Sequence, residues 1–498
     1  MADRVNDMSL LAPLLFVPTG AALGCFVVRS RRVMAALGVL AFGLTLAVGV
    51  ALLRRVAADG TVTEWAGFLR ADALSAWMVV LISVVSLATS VYAGRYFQRD
   101  LAAGVVTRGR MKEFFVLTPL FGSGMFLVVL ANSLGVMWAA VEATALSSVL
   151  LVALYNRRTS LEGAWKYVML GSLGLALALL GTVFIYAAAC KDSPRPLPSF
   201  NWSHLMTVAP QLDPQLVRLA FVFALLGYGT KAGLAPMHTW LPDAHSEAPS
   251  PTSAMLSGVS LKIALYALLR FHILTAACLG PAFSCRLLLG FGLLSMFLAA
   301  PFILVQENLK RMLAYSSLEH IGLICVGIGL GTPLTIFGAL LHMGYHALTK
   351  PVLFFAAGNI HQSCHTLEFR LIGPGLVKLL PVTVLFLGLA AVAAAGLPPF
   401  GLFLSELTVI SGGIAAGQMT ISVLVLAALI ACFCGMLRQL TRILPGEPAA
   451  GRDHDGRRMD GVPAMGLLLG GLLVFSVWLP QPLLDVMHRA AGIIGGEP

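Results

Sequence analysis

Apolar runs of about 20 residues recur from one end of this 498-residue chain to the other. One of them, "VMAALGVLAFGLTLAVGVALL" (Val33 to Leu53), contains no charged side chain. A run of that length crosses the hydrocarbon core as a helix, because a helix satisfies its own backbone groups where no water can. Composition agrees: 58% of the residues are hydrophobic and 11% charged, against about 25% charged in soluble domains. The chain therefore reads as an all-α polytopic membrane protein, with no soluble domain of ordinary size between its spans.

Spans are predicted near 9–28, 33–53, 72–94, 113–131, 133–154, 166–189, 217–241, 253–275, 286–305, 312–330, 334–357, 379–413, 419–440 and 463–480, about fourteen transmembrane helices. Two are interrupted. The seventh breaks at Gly233 and Pro236 in "KAGLAP"; the twelfth breaks at Pro398 and Pro399 in "GLPPFGLF". Glycine and proline free backbone groups that survive at membrane depth only where protein or a wet cavity meets them. The breaks fall in the fourth helix of each of two five-helix blocks, and an odd number of helices inverts the second block relative to the first. Paired broken helices in inverted repeats point to an ion path. The expected organisation is a three-helix segment over 1–112, repeats over 113–275 and 286–440, and an inner loop with a C-terminal helix over 441–498.

The net charge of +10 is no signature of nucleic acid. Lys and Arg gather in alternate short loops, such as "RSRR" (Arg29 to Arg32) and Arg95 to Lys112. That is the positive-inside bias, and it gives orientation: basic loops cytoplasmic, both termini outside, in the plasma membrane. The outer loop Cys190 to Pro214 is proline-rich and expected to be extended; the inner loop Pro445 to Asp460 is expected to be solvated. The N-terminus lacks a basic n-region and reads as the approach to a first span. Eight cysteines show no CxxC and no iron–sulfur or zinc spacing, so no cofactor, no metal and no catalytic centre is assigned to this chain.

Charged side chains inside the spans are costly, and they mark function by default. Glu142 lies about nine residues into the fifth span, roughly 14 Å along a helix and so near the midplane. Lys262 is equally deep in the eighth. Lys231 precedes the break in the seventh, and Glu406 follows the break in the twelfth. His342, His346 and Lys350 share one face of the eleventh at four-residue spacing, and Glu319 and His320 sit mid-way along the tenth. The plainer alternative is snorkelling or packing for Lys350, Lys166 and Glu319, and a hydrogen-bonded core role for His342. Central depth makes snorkelling a poor account of Glu142, Lys231, Lys262 and Glu406. A lysine in a low-dielectric site releases its proton more readily without a nearby anion, and a carboxylate partner reverses this. Moving Glu142 relative to Lys231 would switch the lysine between holding and releasing. Histidine can pass a proton onward through water. The expected chain of groups is Glu142, Lys231, Lys262, His320, His346 with Lys350, then Glu406.

The block from Gly233 to Phe271, "GLAPMHTWLPDAHSEAPSPTSAMLSGVSLKIALYALLRF", resembles the antiporter-like subunits of complex I, which is an NADH dehydrogenase, and of Mrp antiporters. "WAAVEATALSSVLLVALY" (Trp138 to Tyr155), "LEGAWKYVMLGSLGLALALLG" (Leu161 to Gly181) and "GLPPFGLFLSE" (Gly396 to Glu406) are similar to hydrogenase-4 component F of membrane-bound [NiFe] hydrogenase and formate hydrogenlyase complexes. The resemblance implies fourteen helices and two inverted five-helix repeats. It matches Glu142, Lys231 and Lys262 to the family's fifth-, seventh- and eighth-helix ionisable residues. Glu406 matches a twelfth-helix position that is Lys in some branches and Glu in others. The tail "QPLLDVMHRAAGIIGGEP" is too short for the long lateral helix of the largest complex I homologue.

The resemblance implies a proton-translocating membrane subunit of an oxidoreductase complex. Its partners would be other membrane subunits and peripheral redox subunits carrying [NiFe] and Fe–S centres. The alternatives are an Mrp-type Na⁺/H⁺ antiporter subunit, the membrane subunit of an inorganic-carbon uptake complex, and a non-conducting scaffold.

Overall fold

The computed structural model describes residues 9–190, 200–447 and 461–496. The first helices are α1 (Leu11–Val27) and α2 (Arg31–Asp59), followed by a hairpin of β1 (Val62–Glu64) and β2 (Leu69–Ala71) paired antiparallel with Val62 opposite Ala71. Glu64 on that hairpin receives the amides of Leu10, Leu11 and Ala12 at 2.7, 2.9 and 3.1 Å. A carboxylate there satisfies amides that have no partner within the helix and complements its dipole. Next come α3 (Ala73–Ala102), α4 (Arg108–Leu130), α5 (Leu134–Val152) and α6 (Arg158–Cys190). The loop expected to be extended over Cys190–Pro214 instead contains a short helix, α7 (Trp202–Val208), whose Trp202 is buried and donates through its indole to the Arg270 carbonyl. An aromatic anchor outweighs the prolines there; residues 191–199 lie outside the described residues.

The span expected over 217–241 is two helices, α8 (Pro214–Ala232) and α9 (Trp240–Glu247). The α8 helix ends where Gly233 takes φ +80° and its amide turns back to the Gly229 and Thr230 carbonyls, a left-handed stop that favours glycine. Pro236 follows within the break. The eighth span joins α10 (Ser250–Met255), a π-helical turn (Leu256–Ser260) and α11 (Leu261–Leu279). Then follow α12 (Ala282–Val305), α13 (Leu309–Gly329) and α14 (Pro333–Cys364), with short α15 (Phe369–Ile372) and α16 (Leu376–Leu379). The twelfth span is likewise divided, into α17 (Pro381–Ala394) and α18 (Gly401–Ala415), with Pro398 and Pro399 between them. Gly396 has φ +64°, and a Cβ on it would run into the Glu406 carboxylate. Only a glycine lets the broken chain pass so close to that acid.

The chain closes with α19 (Met419–Thr441), α20 (Val462–Val477) and α21 (Gln481–Gly495). The predicted inner loop falls largely on 448–460, outside the described residues. The tail beyond 480 forms a helix bent 78° from α20; it lies against α2, α3 and α14, and Arg489 donates to the Val56 carbonyl at 3.0 Å.

Among the described residues, nine helices are long and apolar enough to cross a membrane, and three shorter apolar ones, Leu11–Val27, Pro381–Ala394 and Gly401–Ala415, accompany them. Position in the bundle separates helices that hydropathy alone does not. In α13, 94% of the apolar window is buried, and along Ser250–Leu279 83%, whereas in α19 only 33% is. The central helices α11, α13 and α14 carry Lys262, His320, His342, His346 and Lys350, all buried; the rim helices carry the exposed leucines, valines and phenylalanines.

Candidate functional site

Lys231 ends α8 one turn before its break and is buried. Its Nζ donates to the hydroxyl of Tyr167 on α6 and lies 4.5 Å over that ring. The Tyr167 hydroxyl is 2.8 Å from Ser148 Oγ on α5, and Ser148 gives its own hydrogen to the Thr144 and Ala145 carbonyls at 2.7 and 3.0 Å. A hydroxyl has one proton to donate, so Tyr167 accepts from Lys231 and donates to Ser148. Trp240, just after the break, packs on Tyr167 with ring centroids 4.6 Å apart and donates to the Thr230 carbonyl at 2.8 Å. The break thus positions the tyrosine that receives the lysine. Glu142 is on α5, half-buried, and forms no ion pair among the described residues. The Glu142–Lys231 contact anticipated from the sequence is absent in this conformation, and Tyr167 holds the lysine instead.

The next group is Lys262 on α11, fully buried. Its ammonium spends all three protons: on the Ser257 carbonyl at 3.0 Å, the Gly258 carbonyl at 2.6 Å, and His346 Nδ1 at 2.7 Å. Both carbonyls belong to the π-helical turn, whose wider winding leaves acceptors that a regular helix would consume; such turns recur at functional sites. Because Nδ1 of His346 accepts, its Nε2 carries the hydrogen, and that atom has no partner among the described residues.

The rings of His346 and His320 meet edge to face, with centroids 4.8 Å apart. His320 Nδ1 then lies 3.0 Å from His342 Nε2, and His342 Nδ1 lies 2.9 Å from Ser405 Oγ. Ser405 donates to the Leu402 carbonyl at 2.8 Å. It must therefore accept from His342 Nδ1–H, which turns His342 Nε2 into an acceptor for His320 Nδ1–H. His320 Nε2 is left as an acceptor without a partner. The histidine chain thus has one gap: the rings of His346 and His320 meet edge to face, but no hydrogen bond joins them, and the Nε2 atoms of both are without a partner among the described residues.

Lys350, on the same face of α14, donates to the Leu313 carbonyl at 3.0 Å and to Ser316. Glu319 Oε2 is 3.4 Å from His320 Nδ1. Glu406, in the second turn of α18 beyond the second break, is 7% exposed. Glu319 and Glu406 line a cavity of about 10 Å³ together with Cys432, room for one water. The sequence-predicted groups fall into three sets: Lys231 with Tyr167, Lys262 with His346, and His320 with Glu319 and Glu406. Glu142, half-buried on α5, has no ion-pair partner among the described residues. His342 joins the cluster as a full member, and Lys166 is paired with Glu162 and Asp243 at 2.8 and 2.9 Å.

Four residues carry no signal in the sequence that would have singled them out. Tyr167 is one aromatic in an apolar run, and Ser148 one hydroxyl. His245 is buried with both ring nitrogens unpartnered, 5.1 Å from the Phe354 ring. Asp72, capping α3, takes the Arg270 guanidinium in two bonds of 2.6 and 2.8 Å. Ser148 meets Tyr167 19 residues on, Tyr167 meets Lys231 64 residues on and Asp72 meets Arg270 198 residues on, and only the fold brings them together.

An all-helical bundle with two interrupted helices around a buried line of lysines, histidines and carboxylates defines an antiporter-like class of polytopic membrane protein. The chain belongs to the family described as NADH:quinone oxidoreductase/Mrp antiporter, transmembrane, whose model matches residues 131–431. It is similar to the hydrogenase-4 component F homolog of Methylacidiphilum infernorum, 36% identical over 433 residues, covering 86% of this chain and 89% of that one. It is also similar to NADH-quinone oxidoreductase subunit N of Desulforudis audaxviator, 33% identical over 410 residues, covering 81% and 78%. In fold it matches a chain of the membrane-bound sulfane sulfur reductase, an archaeal respiratory membrane complex. There the TM-score is 0.84, with 24% identity and 98% of each chain covered.

Proposed function

We propose that this chain moves protons across the plasma membrane as a subunit of a redox-driven complex, with the electron-transfer chemistry on partner subunits. The relatives named as hydrogenase-4 component F and NADH-quinone oxidoreductase subunit N support this assignment. Peripheral partners with [NiFe] and Fe–S centres go with the hydrogenase branch. Fourteen spans, basic loops inside and both termini outside complete the arrangement.

The blocks 113–275 and 286–440 act as inverted repeats. Corresponding helices carry corresponding chemistry: Glu142 on α5 and Glu319 on α13, Tyr167 on α6 and His346 with Lys350 on α14, Lys231 beside one break and Glu406 beside the other. The path runs Glu142, Lys231, Lys262, His346, His320, Glu406. Tyr167 passes the lysine's proton toward α5, and the gap between His346 and His320 closes when one water enters. The single observation that carries this reading is the buried cluster of Lys262, His346, His320 and His342 on three helices, in which Lys262 is hydrogen-bonded to His346, His320 to His342, and the rings of His346 and His320 touch. Charged and titratable groups are kept at such depth only where they pair or conduct.

The test is proton uptake into inverted vesicles energised by the complex's own electron donor. Lys231→Ala and Lys262→Ala should each abolish uptake while the complex stays assembled. Uptake unchanged in both variants would leave a scaffold. Sodium transport by the purified chain, with no electron donor, would select the Mrp-type antiporter that the family description includes.

A further inference from the structure

The geometry points to a divalent-cation site of the zinc class where α13, α14 and α18 meet, built from His320, His342, Glu406 and Glu319. It rests on these side chains alone and stands or falls apart from the proton reading.

Ligand atoms of His320, His342 and Glu406 lie within 4.8 Å of one another, and all three residues are buried. His342 Nε2 is 3.0 Å from His320 Nδ1, and Glu319 Oε2 is 3.4 Å from that same nitrogen. Zinc bonds of about 2.0–2.1 Å in a tetrahedron place donor atoms roughly 3.3 Å apart, so the two histidines and Glu319 stand near that spacing already and Glu406 is within 4.8 Å of the histidine ligand atoms. His342 is held as a metal-ligating imidazole is held: its Nδ1–H is spent on Ser405, which fixes the ring and turns the Nε2 lone pair inward.

Glu319 and Glu406 each have an oxygen without a partner among the described residues, and both line one small cavity together with Cys432. These orphaned acceptors are what a cation would satisfy. Two carboxylates balance a divalent charge, the least costly way to bury one. The neighbouring cations aim elsewhere, Lys350 at Leu313 and Ser316, Lys262 at its two carbonyls and His346. Two imidazoles with two carboxylates favour zinc over magnesium or calcium, which prefer oxygen-only shells. On binding, the hydrogen now on His320 Nδ1 moves to Nε2 of the same ring, which stays neutral.

The experiment titrates zinc into the metal-stripped full chain in nanodiscs against a chromophoric chelator, with X-ray absorption at the zinc edge. One ion per chain should bind, with an imidazole-containing shell of nitrogen and oxygen. His342→Gln and Glu406→Gln should each weaken binding at least tenfold, and His488→Gln, an exposed histidine on α21, should not. Absence of stoichiometric binding, a shell without imidazole, or affinity lost in His488→Gln and kept in the other two would overturn the site. Should His342→Gln fail to fold, the absorption spectrum of the unaltered protein still decides.

Discussion

Replacing Tyr167 by Phe removes one oxygen and little else. The ring stays between Trp240 and the Lys231 ammonium, so the packing at 4.6 Å and the cation–π contact at 4.5 Å are retained. What is lost is the only hydrogen-bond acceptor Lys231 has among the described residues. A hydrogen bond to a charged group contributes about 1.5–3 kcal/mol, equivalent to about tenfold to a hundredfold in a rate or an equilibrium. If Lys231 hands its proton on through Tyr167, donor-driven proton uptake into vesicles should fall by that factor in Tyr167→Phe. Ser148→Ala tests the direction of the relay. It leaves Tyr167 accepting from Lys231 and removes only a neutral bond of about 0.5–1.5 kcal/mol, so uptake should fall about two- to tenfold. Tyr167→Phe at unaltered uptake, in an assembled complex, would refute the reasoning. So would Ser148→Ala proving the more damaging of the two.

Three further outcomes follow from particular contacts. Arg270→Met leaves Asp72 buried with one of its two guanidinium partners gone; breaking such a pair costs about 3–5 kcal/mol. The thermal transition should fall, read by a thiol-reactive dye that meets the buried Cys25, Cys285 and Cys325 only on unfolding. Gly396→Ala drives a methyl group into the Glu406 carboxylate; it should lower proton uptake with a stability loss of about 1–3 kcal/mol, whereas Gly388→Ala, with open space around it, should do neither. Burial opposes ionisation of Glu64, but the Leu11, Leu10 and Ala12 amides and the Ser9 hydroxyl outweigh it and hold its carboxyl below the ordinary value of 4.5. Its folded-state value is thus the depressed one, so its contribution is complete above about pH 5 and is lost as pH falls through the carboxylate range. Glu64→Gln should remove about 1 kcal/mol at neutral pH and flatten that part of the acid limb.

The interrupted spans show how far sequence goes. "KAGLAP" and "GLPPFGLF" announced that helices must end there, because proline and left-handed glycine stop a helix whatever surrounds it. They did not announce that Trp240 would reach back to the freed Thr230 carbonyl, or that Gly396 would lie against Glu406. The tail after Pro480 is too short for a long lateral helix, yet its apolar face gains a folded helix by packing on α2, α3 and α14.

Hydropathy by itself determined that this chain is a helical membrane protein and which ionisable groups lie deep in it, since both follow from local composition and the thickness of the bilayer. It did not determine partners. Depth along a helix fixes a residue's height in the membrane, while rotation about the axis decides what it meets, and helices apolar on every side carry no record of that rotation. Tertiary packing made that choice: it sent Lys231 to Tyr167 in place of Glu142 and left Glu142 half-buried on α5. It also gathered His320, His342, Glu319 and Glu406, up to 87 residues apart in sequence, into one buried cluster, with Glu319 and Glu406 lining a cavity large enough for a single water.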